Sequence, residues 1–76
     1  MKHLRSGRHR ALISAIVQAR ADAGLTQRQL AAKLNRSDSF VWKIEAVERR
    51  VDILEFIEIA RCLDVDPIRL FRKALS

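Results

Sequence analysis

Apolar residues recur along this chain at helical intervals, and no stretch alternates as a strand would. Leu12, Ile13, Ile16, Val17 and Arg20 fall on one stripe. They predict a first helix over residues 9–23, stopped by Gly24 in the usual post-helix position. Thr26 with Gln29 spells a T-x-x-Q capping box, and Leu25 and Leu30 occupy the two staple positions. A second helix therefore runs from Thr26 to near Leu34. Ser37 is placed to cap a third, over residues 38–46. Asp52, with Glu55 three residues on and Val51 and Phe56 as a staple, opens a fourth, "ILEFIEIARCL", which is apolar on more than one side. Asp66 caps a fifth, with Pro67 at the first helical position and Val65 and Leu70 as its staple. The pattern predicts an all-α fold: a compact five-helix domain over residues 9–76, preceded by a basic arm, "MKHLRSGR", over residues 1–8.

Between the second and third helices the residue types are specific. Ala31 is small where two helices crossing at a wide angle come close. Asn35 stands where the chain reverses, and Asn tolerates the left-handed conformation. Val41 and Ile44 supply the inward positions that follow. A small residue, a left-handed turn residue and apolar residues at these distances describe a helix-turn-helix, whose second helix enters the major groove.

The stretch "LTQRQLAAKL", then Ser37, then "VWKIE" and the later "IARCLDVDP", resembles the lambda-repressor-like (Cro/repressor-type, XRE-type) helix-turn-helix domain over residues 25–71. The resemblance implies a sequence-specific, dimeric DNA-binding protein, usually a transcriptional regulator. It also implies that Gln27 contacts backbone phosphate and braces the reading helix, and that Arg20 pairs with Glu45. The family's glycine in the turn is replaced by Asn35, which the geometry permits. The glycine after the third helix is replaced by Val47. A branched residue takes a positive φ only at a cost, so the resemblance leaves the geometry of the 46–51 loop open.

Charge adds a direction to this picture. Residues 1–38 carry eight Lys/Arg against two acids, while residues 39–76 carry seven against seven, so the whole net charge of +6 sits in the first half. A basic half joined to a neutral half suggests that one end meets a polyanion. The single cysteine, Cys62, lies in an apolar run and reads as a small core residue in a reducing compartment. No apolar stretch reaches the roughly 18 residues of a membrane span, and no hydrophobic signal core follows the basic start. The expected setting is the cytoplasm, without a membrane partner.

On a helical wheel Ser39, Trp42, Lys43 and Ala46 point away from Val41 and Ile44, with Phe40 at the edge of the inward side and Asp38 at the shoulder. Gln27, Asp38, Ser39, Trp42 and Lys43 are the base-facing candidates. Ser39 can donate or accept, Lys43 can reach guanine or phosphate, Trp42 offers an apolar surface to a thymine methyl or sugar, and Asp38 can accept from a cytosine amino group. Asp38 can equally do no more than favour the helix terminus. Arg28, Arg36, Ala46, Arg49 and Arg50 are candidates for backbone positioning, and Lys2, Arg5, Arg8 and Arg10 for an arm that follows or enters a groove. Ile68, Phe71 and Leu75 share one stripe of the fifth helix, part of which should cover helix four and part of which suits a two-fold homodimer interface.

His3 and His9 lie near the start, and no Cys/His or carboxylate cluster has metal-ligand or acid–base spacing, so neither a cofactor nor catalysis is expected. Two functions remain. One is a dimeric regulator, a repressor, on double-stranded DNA. The other is an antitoxin-like or protein-docking module that uses the Trp42, Ala46 and Val47 strip to bind a protein partner.

Overall fold

The computed structural model describes residues 6–76. Its elements are α1 (Gly7–Asp22), α2 (Gln27–Lys33), α3 (Ser39–Glu45), α4 (Ile53–Cys62) and α5 (Pro67–Leu75), and no strand occurs among the described residues. The caps explain most of the boundaries. Thr26 and Gln29 close a reciprocal capping box on α2, as Asp52 and Glu55 do on α4. Asp66 accepts from the Ile68 N–H at the start of α5, with Pro67 in the first turn.

Two starts differ from the periodicity. Ser6 accepts from the His9 N–H at 3.1 Å, so α1 begins two residues earlier than expected, and Arg8 and Arg10 ride on its first turns. Lys2 and Arg5 lie outside the described residues. Ser37 does not cap α3. Its carbonyl accepts from Phe40 N–H, and Asp38 takes the N-cap position with φ −55° and ψ −30°. A capping side chain needs an extended residue at that position, which would aim its oxygen at the free N–H groups. Asp38 is helical and makes no capping bond.

The ends of α1, α2, α3 and α4 share one construction. In each, two backbone N–H groups turn back onto the last helical turn: Gly24 and Leu25, Asn35 and Arg36, Val47 and Glu48, Asp64 and Val65. Each closure needs a left-handed residue, and Gly24, Asn35, Val47 and Asp64 have φ of 73°, 58°, 62° and 59°. Val47 thus adopts the positive φ that its branched side chain disfavours, at a cost of about 1–2 kcal/mol. The loop after α3 therefore closes as the ends of the other three helices do, with a residue unsuited to it.

The core forms where these helices meet. Ile16, Leu30, Val41, Ile44 and Ile59 are at most 1% exposed, and Ala31 is fully buried at the α2–α3 crossing. Phe40 joins them, as the wheel indicates. Cys62 packs against this core, its thiol 3.6 Å from the Lys33 carbonyl. Helix α5 lies chiefly against α1, and part of it covers α4, as expected. Contact with α4 is the lesser part and includes an edge-on meeting of Phe71 with Phe56, ring centres 6.2 Å apart. Leu70 is buried, while Ile68, Phe71 and Leu75 stay outward at 65%, 47% and 57% exposure.

Candidate nucleic-acid interface

Helix α3 is short, and three inward side chains, Phe40, Val41 and Ile44, hold it in the core. Burying them presents Ser39, Trp42, Lys43 and Ala46 to solvent together. Trp42 is 48% exposed, a large apolar surface with no core role.

A buried network sets the orientation of this face. Glu45 closes α3 and accepts from Arg20 of α1 through Nε at 2.6 Å and Nη2 at 2.9 Å. Arg20 Nη1 also donates to the Leu25 carbonyl, and Gln27 Nε2 donates to Glu45 Oε1 at 2.8 Å. The Arg20–Glu45 pair therefore ties α1, the α1–α2 turn and the start of α2 to the end of the outward helix. Its hydrogen bond to Glu45 raises the Arg20 guanidinium above its ordinary value, so Arg20 stays charged. Gln27 is drawn inward by this network, with its side chain committed to Glu45.

A second network lies on the other side of α3. Glu55 is 7% exposed and accepts from the Asp52 N–H as part of its capping box. It also receives Arg49 through both guanidinium nitrogens, at 3.1 and 3.2 Å, and lies 3.5 Å from Arg36. The same two guanidiniums sit 4.6 and 4.8 Å from the centre of the Phe40 ring. Arg36 and Arg49 thus have internal partners, a carboxylate and an aromatic face, while their side chains keep 44% and 36% exposure. Sequence reasoning missed this cluster. Glu55 carried a legible signal only as a cap, and nothing local joins residues 36, 40, 49 and 55.

At the rim, Arg28 meets Asp38 at 3.1 Å in a pair that is 79% and 71% exposed. Such a pair contributes about 0–1 kcal/mol and opens readily to a stronger anion. Lys43 on the face and Arg50 in the loop that follows α3 are exposed. Arg50 also acts on α1. Burial first, and then the Arg50 charge, hold the His9 imidazole below its ordinary value. His9 Nε2 is buried without a hydrogen-bond partner. His9, Arg8 and Arg50 line an open cleft of about 420 Å³ that ends against Phe71 and Leu75.

The outward side chains of α3 carry hydrogen-bonding, apolar and cationic groups, with the Arg28–Asp38 pair at the start of the helix. Ile53 and Leu54, in the first turn of α4, are 69% and 68% exposed, an apolar surface that the periodicity did not single out. Among the described residues no helix is long and apolar enough to cross a membrane, and no group of three His, Cys, Asp or Glu is placed to hold a metal ion.

Comparison with known proteins agrees with this construction. A family model described as a helix-turn-helix domain matches residues 3–70. No curated protein matches the chain. Among solved structures, an XRE-family like protein from Pseudomonas syringae pv. tomato str. DC3000 is 42% identical, with a TM-score of 0.87, over 97% of this chain and 90% of that one. The chain belongs to the XRE-type helix-turn-helix family of DNA-binding regulators.

Proposed function

We propose that the protein is a sequence-specific DNA-binding repressor that acts in the cytoplasm as a homodimer on an inverted-repeat operator. The observation that carries this reading is the clamping of α3. Its inward side is locked by Phe40, Val41 and Ile44, its end is tied to α1 and α2 through Glu45, and Ser39, Trp42, Lys43 and Ala46 are left presented as a unit. A rigid, outward helix is what base readout needs, since hydrogen bonds to base edges tolerate little misplacement.

Arg28, Arg36, Arg49 and Arg50 take positioning contacts with phosphate, joined by Ala46 at the helix end. The α1 cations Arg8 and Arg10 extend the basic surface, with Lys2 and Arg5 preceding them. Two-fold pairing through Ile68, Phe71 and Leu75 sets two reading helices about one helical turn apart. The role is binding, with no catalytic step and no cofactor.

In vitro selection from a randomised duplex library tests this directly. Recovery of a two-fold-symmetric site supports a dimeric reader; recovery of no sequence rules it out.

One observation favours a second reading. Trp42 is half exposed beside Ala46, and Asp38 brings an acid to the shoulder of the same face. An antitoxin-like or protein-docking module would use that strip against a protein partner. Salt separates the two, because binding through several phosphates falls steeply with added salt whereas an apolar docking face barely responds.

A further inference from the structure

Four helices of this protein end in the same closure, and each places one residue in the left-handed region. Three of those positions hold Gly24, Asn35 and Asp64, types that tolerate the conformation. The fourth, at the end of the outward helix, holds Val47, a branched residue for which φ of 62° is a real outlier. Strain of this kind persists where the rest of the molecule offsets it or where a bound state uses it. The closure of α3 asks for a left-handed residue there, but packing of the Val47 side chain offers little offset for the choice of valine. Val47 is partly exposed and is absent from the apolar side chains that pack against the core, a set that does include its neighbour Val51. It follows Ala46 directly and continues the apolar strip that begins at Trp42.

We infer that Val47 is a DNA-contacting residue of this chain, kept against its backbone preference because its side chain packs on an apolar group of the duplex at the end of the reading helix. The inference rests on the DNA-reading function proposed above. The group it meets is a thymine 5-methyl or a deoxyribose. Both present apolar surface in or beside the major groove, and the isopropyl group has no hydrogen-bonding capacity with which to read anything else. A glycine there would relieve the strain and remove the isopropyl group, and an asparagine would relieve it as it does at the end of α2.

The test uses the full chain with Val47→Asn and Val47→Gly, a duplex selected by the wild-type protein, and the same duplex with each thymine replaced in turn by uracil. Both variants are expected to melt at least about 4 °C above wild type, since the left-handed strain is gone. Both are expected to bind the selected duplex about tenfold more weakly. If one uracil substitution weakens the wild type but leaves the variants unchanged, the group that Val47 meets is the thymine methyl. If the variants bind weakly and no uracil position couples to them, it is the deoxyribose. Undiminished affinity in both variants overturns the inference while leaving the DNA-reading function intact. Failure of both to melt higher also overturns it, because the strain would then be compensated inside the fold. A wild-type protein that selects no duplex removes the function and the inference together.

Discussion

Arg20 of α1 and Glu45, the last residue of α3, are joined by two hydrogen bonds across 25 positions of sequence. The side chains are only 17% and 7% exposed, so removing one partner strands a charge away from water. Glu45→Ala is expected to lower stability by about 3 kcal/mol. Thermal melting checks this, and an unchanged midpoint would sink the bracing role. Glu45→Gln should fall between the two, since its amide still accepts from Arg20.

The four arginines around α3 should separate into two kinds. Arg36 and Arg49 are bound to Glu55 and to the Phe40 ring. Alanine at either should lower both the melting midpoint and DNA affinity. Arg28 and Arg50 are exposed. Alanine there should leave melting unchanged and make the salt dependence of binding shallower, by about one unit of slope for each phosphate no longer neutralised. Melting and salt titrations on the four variants make the comparison. Equal loss of stability in all four would contradict it.

Residues Ile68, Phe71 and Leu75 face outward from a helix whose other side is buried by Leu70. Ile68→Glu is expected to keep the helical circular dichroism of the domain and to turn a dimer into a monomer in sedimentation at tens of micromolar. Binding to an inverted repeat should weaken by at least about tenfold, because each half-site then binds alone. A wild-type protein that sediments only as a monomer argues against a stable free dimer on this face.

His9 introduces a pH dependence with a definite sign. Burial, then Arg50, lower its folded pKa below the ordinary 6.5. The folded state therefore binds the proton less readily than the unfolded chain, and the neutral imidazole is the stabilising form. That contribution is complete above about pH 6.5 and is lost as pH falls through the folded pKa. His9→Gln should flatten the part of the stability profile that declines below pH 6.5. Melting of both proteins at pH 7.5 and 5.5 provides the check, and parallel declines would remove His9 as a contributor.

How far the sequence reaches depends on the range of the interactions involved. The five helices, the T-x-x-Q box, the caps at Asp52 and Asp66, the left-handed Asn35 and the outward set on α3 are decided within about four residues of chain. There a side chain meets its own backbone or its own helical stripe, so sequence alone determines them. Ser37 shows the limit even at that range. Its residue type suits a cap, but the helical backbone of Asp38 shifts the cap position and leaves it empty. What only the tertiary structure decides involves groups brought together from distant segments. Gln27 turns inward because Glu45 arrives beside it, and α5 settles on α1 more than on α4. Arg36 and Arg49 gather on Phe40 because a buried Glu55 needs cations close by. Val47 is the sharpest case: its local preference is against a positive φ, and the requirement to close α3 and turn toward α4 overrides it. Local preferences of this size are about 1–2 kcal/mol, and the packing of a whole core exceeds them.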